Sequence, residues 1–309
     1  MAKTVKDWLV EGDKSISSLV ERTLFDRDGQ GSDEGLIAKY RKLYDKNRRQ
    51  WGDGVYSPKW TSTFYTLLEL RRLGSDPQND IYLDAATRIL DLLWYDEEKA
   101  KKLKHQDMCI IGMMLHMLCY AKITDQRIDV MIDYVLAHQF ADHGWNCEWE
   151  RHPGHTHSSV HTTLSVLEGL AEYAKASYGY RIAEVRLAGD RGEAYLLRKH
   201  LFLRETNQTP IFPGITGCHY PQRWKYDLFR ALEYFADNQR PYDKRMDLAL
   251  AIVEAKLRKG PLSPGTLYPG LIHFVYDLED RRRMTTLIAL KILKAYRNDV
   301  YVSVLNKQL

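Results

Sequence analysis

Apolar residues recur three and four positions apart along most of this chain, and alternating β-branched runs are scarce, so the pattern predicts an all-α protein. Periodic stretches predict helices over 4–24, 35–49, 59–73, 79–95, 106–121, 125–140, 158–176, 190–203, 223–237, 242–258 and 282–297. Glycine and proline fall between them, as in Gly52-Asp53-Gly54, Pro213-Gly214, Pro264-Gly265 and Pro269-Gly270, and mark the turns. No segment has linker character, which predicts one domain over 1–309. The most apolar run, Met108 to Ala121, contains His116 and falls short of the ~20 residues that cross a bilayer, so no integral membrane segment is expected.

The helices repeat. Laying 59–70 over 223–234 pairs Lys59 with Arg223, Trp60 with Trp224, Thr63 with Asp227 and Glu69 with Glu233. A third copy, 159–170, places Thr163 over Thr63, and a fourth, 281–293, places Thr285 there. The helix around Met108 to Tyr120 takes the same place in the order, in an ambiguous register. Loops rich in glycine and aromatic residues lead into these helices: Trp51-Gly52-Asp53-Gly54-Val55-Tyr56, Gly144-Trp145-Asn146-Cys147 and Gly214-Ile215-Thr216-Gly217-Cys218. With one further helix in each interval, the chain is a succession of helical hairpins. Such hairpins stack into an open superhelix or close into a ring, because one repeat cannot bury its apolar face alone.

Tyr134-Val135-Leu136, Gln139 and Gly144-Trp145 resemble the Gln-Trp repeat motif of squalene cyclases and related toroids. Together with Lys59-Trp60-Thr61-Ser62-Thr63 and His157-Ser158-Ser159-Val160-His161-Thr162-Thr163, they make the chain similar to prenyltransferase/squalene-oxidase repeat proteins over nearly its whole length. The resemblance implies an α/α toroid of five to six helical hairpins, inner and outer helices around a central cavity, with N-terminal helices in 1–50 completing the ring. It also implies a small apolar, amphipathic or isoprenoid-like ligand. The Asp-x-Asp-Asp motif of class II cyclases is absent, Asp277-Leu278-Glu279-Asp280 being the nearest string, which argues against squalene cyclisation. The zinc-binding motifs of the protein prenyltransferases have no residue-by-residue counterpart.

Charge adds exclusions. Lys and Arg number 45 against 41 Asp and Glu, a net +4 that predicts no nucleic-acid partner. Four scattered cysteines and the lack of an apolar leader predict reduced thiols and a cytoplasmic protein. Cys109 and Cys119, within the apolar run, read as small core residues, whereas Cys147 and Cys218 lie in glycine-containing loops.

Three constellations carry candidate chemistry. The segment from His138 to His161 holds six of the eleven histidines together with Cys147, a concentration that chance does not explain. His157 and His161 are four apart at a helix start, on one face, so Cys147, His157 and His161 form a candidate zinc set with a fourth position open to water. On the plain alternative, His143, His152 and His155 are solvated loop residues, and His157 and His161 bond nearby carbonyls. Next, Asp227 replaces a hydroxyl at the repeat slot of Thr63, Thr163 and Thr285, so Asp227 and His161 are the candidate catalytic groups, against a structural ion pair of Asp227 with Arg223 or Arg230. Finally, Lys59, Arg223 and Arg281-Arg282-Arg283 stand at expected helix starts, where unpaired N–H groups add positive charge, which would suit an anion. Trp60, Thr63, Thr163 and Trp224 are expected beside the cavity, with Tyr65, Tyr226, Trp145 and Trp149 as further aromatic lining. The function expected is an enzyme or binder of an apolar ligand; the alternatives are a zinc-dependent hydrolase or lyase and a non-catalytic toroid.

Overall fold

The computed structural model describes residues 3–27, 34–94, 107–147, 154 and 156–309. Trp149, His152 and His155 lie outside the described residues. The described residues are helical with no strands, and none of their helices is long and apolar enough to cross a membrane.

Side-chain caps set many of the boundaries. Thr4 and Asp7 form a capping box at α1 (Val5–Val10), and Asp13 caps α2 (Lys14–Phe25) through the Ser15 N–H. That second cap divides the helix expected over 4–24 in two. Asp13 also accepts the Leu36 N–H at 2.9 Å, tying α2 to α3 (Gly35–Lys42). Then follow α4 (Thr63–Arg72), α5 (Asp80–Leu93), α6 (Met108–Tyr120), α7 (Gln126–Ala137), α8 (Val160–Lys175) and α9 (Ile182–Arg198). The last third carries α10 (Leu228–Asp237), a short 3-10 turn, α11 (Asp247–Leu257), α12 (Leu278–Tyr296) and α13 (Asn298–Leu305).

Several expected boundaries move for identifiable reasons. Residues 59–62 and 223–227 form turns and extended backbone ahead of α4 and α10, each shortly after a proline, Pro58 and Pro221, which has no N–H to give a helix. The helix expected over 190–203 begins at Ile182, because Gly189 and Gly192 weaken its middle without ending it. Asp277 caps α12 so that the helix starts four residues ahead of the periodic run, and Arg297 ends it before α13.

The chain divides into two compact units. A central unit comprises Tyr44–Arg71 and Pro77–Leu196, and a terminal unit comprises Met1–Leu43, Arg72–Asp76 and Leu197–Leu309. In the central unit α6 and α8 run parallel: Gly112 lies beside Ser165, and His116 Nδ1 donates to Glu168 O at 3.0 Å. A Cβ on Gly112 would stand 2.4 Å from Ser165 O, and one on Gly169 would stand 2.4 Å from Gly112 O. Only glycine allows this approach. Arg71 from α4 pairs with Glu172 on α8 and lies 5.0 Å from the Tyr120 ring on α6, so the three helices share one charged contact.

In the terminal unit α12 packs against α2, α10, α11 and α13. The chain ends meet there through an isolated antiparallel bridge between Thr4 and Gln308. Glu233 on α10 is enclosed between Lys291 at 2.7 Å and Arg72 at 2.9 Å. Burial pushes its carboxyl up, but these cations outweigh burial and hold it at about 2 against an ordinary 4.5.

Two outcomes follow from this packing. Replacing Gly112 by Ala should cost about 2 kcal/mol, measured as a lower urea midpoint, because backbone must move to admit the methyl. E233Q should destabilise by about 3 kcal/mol near neutral pH by removing the buried charge that Lys291 and Arg72 share. Since the folded carboxyl lies below its unfolded value, its contribution is full above 4.5 and is lost as pH falls through about 2. The gap between wild type and E233Q should therefore close on acidification; a gap that does not change with pH would contradict this role.

Candidate functional site

The repeat slot identified in the sequence has one structural task. Thr63 Oγ1 accepts the Trp51 N–H at 3.1 Å, and Thr163 Oγ1 accepts the Trp145 N–H at 3.0 Å. Thr285 donates to Leu262 O at 3.1 Å while its neighbour Thr286 accepts the Leu262 N–H at 2.9 Å. In each case a hydroxyl in the first turns of a helix latches the loop that precedes it. Thr63, Thr163, Thr285 and Thr286 are enclosed, so an unlatched loop amide would have no water to replace its partner.

Asp227 does the same with a carboxylate. It accepts the His219 N–H from the preceding loop at 3.3 Å, and its other oxygen caps α10 through the Arg230 N–H at 2.8 Å. It also meets His219 Nδ1 at 3.2 Å, a contact that no threonine in the other repeats makes. Asp227 is 1% exposed, whereas the His219 ring is half-buried. With Nδ1 turned to the carboxylate, the ring directs Nε2 away from it.

The surroundings fix that ring. Its face stacks on Tyr268 with centroids 5.5 Å apart, and a Cβ on Gly265 would stand 2.2 Å from the ring. Arg281 donates to Gly265 O and to Tyr220 O, bracketing the His219 loop. Lys225 Nζ lies 4.1 Å from the Trp224 ring and 5.5 Å from the Tyr268 ring, so a cation and two aromatic faces adjoin the dyad. Burial first, then the charge of Asp227, pushes the Tyr268 phenol far up, keeping it a neutral hydroxyl. Gln222 in the same loop is 1% exposed, and neither amide atom has a hydrogen-bond partner among the described residues.

The other sequence candidates take different places. The Arg230 guanidinium, expected to flank Asp227, bonds Trp224 O at 2.8 Å and Lys225 O at 2.9 Å. Arg223 and Trp224 sit on the turn before α10, and Lys59 and Trp60 on the turn before α4, so neither cation stands at a helix N-terminus. Lys59 lies 5.8 Å from the Tyr56 ring, and Trp60 packs edge-on against Tyr65. Of the run Arg281-Arg282-Arg283, Arg282 pairs with Glu279 and Arg283 with Asp280.

His157 is exposed ahead of α8 and His161 half-buried in its first turn, in the central unit, whereas Asp227 belongs to the terminal unit. Among the described residues no group of three His, Cys, Asp or Glu side chains is arranged to hold a metal ion, so Cys147, His157 and His161 are not assembled as a zinc set. The Cys147 sulfur is engaged elsewhere, by the Cys109 N–H at 3.1 Å and the Thr162 hydroxyl at 3.3 Å. Cys218 lies in a glycine-containing loop, as expected, and is enclosed there.

His219 is the candidate residue that helical periodicity misses, because it lies in a loop. The usable signal is its position, a ring-bearing residue beside a glycine-containing stretch upstream of the slot, as Trp51 and Trp145 are. Neither a protein-family model nor a curated protein sequence matches the chain.

Thr163→Val should test the latch directly. It leaves the buried Trp145 N–H unpaired and should lower stability by about 1–3 kcal/mol, read as a shift of the denaturation midpoint, with faster amide exchange at Trp145. Unchanged exchange there would show that the hydroxyl does not hold the loop.

Proposed function

We propose that this chain is an α/α-toroid protein of the prenyltransferase/squalene-oxidase repeat type in which His219, oriented by Asp227, serves as a general base or acid toward a small amphipathic ligand. The observation that carries the reading is the replacement at the latch slot. A threonine suffices to tie the loop in three other repeats, so the carboxylate's added capability is the bond to His219 Nδ1. A buried carboxylate that fixes a histidine tautomer presents Nε2 as a base without itself taking the proton.

The ligand class rests on what surrounds the ring. Tyr268 and Trp224 offer aromatic faces to an apolar body, and Lys225 offers a cation to an anionic end. The unpartnered amide of Gln222 gives a polar group in the same loop, costly unless satisfied. The toroid reading is supported by the recurrent latched hairpins and by the Gln-Trp element. There the Trp145 indole N–H bonds Val135 O at 2.8 Å, and the Gln139 amide donates to His143 O and Ala188 O, both at 2.9 Å. Parallel neighbouring helices, as in α6 and α8, agree with it. Squalene cyclisation is not proposed, and the reading places the protein in the reducing cytoplasm.

Farnesol and farnesyl diphosphate are suitable probes. Calorimetric titration of wild type should show saturable binding of at least one, with the diphosphate weakened in K225M if Lys225 meets the anionic end. His219→Asn should preserve binding and lose at least about a hundredfold of any conversion of the bound probe seen by mass spectrometry. Absence of binding to both, or equal conversion by the variant, would overturn the reading.

A further inference from the structure

Cysteine occupies two kinds of position here. Cys119 and Cys218 are enclosed, and burial pushes both thiols far above their ordinary range. Cys109 and Cys147 are half-buried and adjoin one another within the central unit. Their adjacency follows from the parallel packing of α6 against α8, which sets the start of α6 beside the Gly144-Trp145-Asn146-Cys147 loop.

At that start Asp107, the N-cap residue of α6, makes no side-chain cap bond. The sulfur of Cys147 takes the role instead, accepting the Cys109 N–H, the second amide of the helix, at 3.1 Å. Thr162 in the first turn of α8 donates its hydroxyl to the same sulfur at 3.3 Å. An unpaired helix amide and a hydroxyl both favour negative charge on sulfur. The Cys109 thiol does so most strongly: its bond to Cys147, with help from Thr162, outweighs burial and draws the Cys147 thiol below its ordinary range, while Cys109 rises well above its own.

We infer that Cys147 and Cys109 form an oxidation-sensitive dithiol, with Cys147 the attacking sulfur, Cys109 the resolving one and a hydroperoxide the oxidant. The Cys147 thiolate attacks the peroxide oxygen; an S–O bond forms, the O–O bond breaks, and the departing oxygen takes a proton as water or alcohol. The Cys109 sulfur, losing its proton, then attacks the Cys147 sulfenic acid. The S–S bond forms, the S–O bond breaks and water leaves, so two thiols and one hydroperoxide give one disulfide, one water and one water or alcohol. Because the Cys147 sulfur already touches the Cys109 amide, rotation of the two side chains brings the sulfurs together. The disulfide fastens the loop before α8 to the start of α6, beside the latch at Thr163.

The test uses the reduced full chain and hydrogen peroxide at stoichiometric amounts. The intact mass should fall by two hydrogens, with a Cys109–Cys147 peptide on mapping. Before oxidation, iodoacetamide should label Cys147 at least about tenfold faster than Cys119 or Cys218. In Cys109→Ser, dimedone should trap a sulfenic acid on Cys147. A mass loss mapped to another pair, no cross-link in wild type, or labelling of Cys147 no faster than the enclosed thiols would overturn the inference. The wild-type peptide map decides the matter even if the serine variant does not fold.

Discussion

A loop amide hydrogen-bonded to a side chain in the first turns of the helix it precedes is the constraint on which this structure turns. Each loop carries a bulky enclosed residue, Trp51, Trp145 or Leu262, whose backbone has left water and must find a partner. A hydroxyl at the slot supplies it and so fixes the loop's approach to its helix. Trp51 and Trp145 are completely enclosed, so the latch also holds a large part of the apolar packing in place.

Where the slot holds Asp227, the same constraint acquires a second consequence. A carboxylate has acceptor capacity for the loop amide, the helix amide and an imidazole at once, while a threonine has too little. The three contacts of Asp227 therefore turn a structural fastening into an oriented dyad without changing the backbone plan. The cost is a nearly inaccessible carboxylate, offset by two backbone N–H groups and the ring. Tyr268, Gly265 and Arg281 complete the arrangement by leaving His219 little freedom to rotate.

Helical periodicity made the fold class legible, because most helices keep one apolar face toward their neighbours. Repeat alignment also brought out Thr63, Thr163, Thr285 and Asp227, since one hydrogen bond requires a small set of side chains at one place. It could not show that they point to loops, as the loops differ in length between repeats. The same difference hid His219, which lies eight positions before Asp227, whereas Trp145 lies eighteen before Thr163. Cys109 looked like core because its helix is apolar all round; its pairing with Cys147 depends on the α6 register, which Gly112 and Gly169 set through backbone contact. The histidine-rich segment suggested a metal through composition and the four-residue spacing of His157 and His161, yet ligands must also converge, and the Cys147 sulfur is turned toward α6.

The central claim is that the slot fastens loops and that Asp227 adds an oriented histidine to that task. Nitrogen NMR of the His219 ring in wild type and D227T measures it most directly, because threonine retains the fastening and lacks the second bond. The account predicts a wild-type ring with its proton on Nδ1 and a bare Nε2, and a folded variant in which that fixed tautomer is lost. An unchanged ring in the folded variant would contradict it, as would a wild-type proton fixed on Nε2.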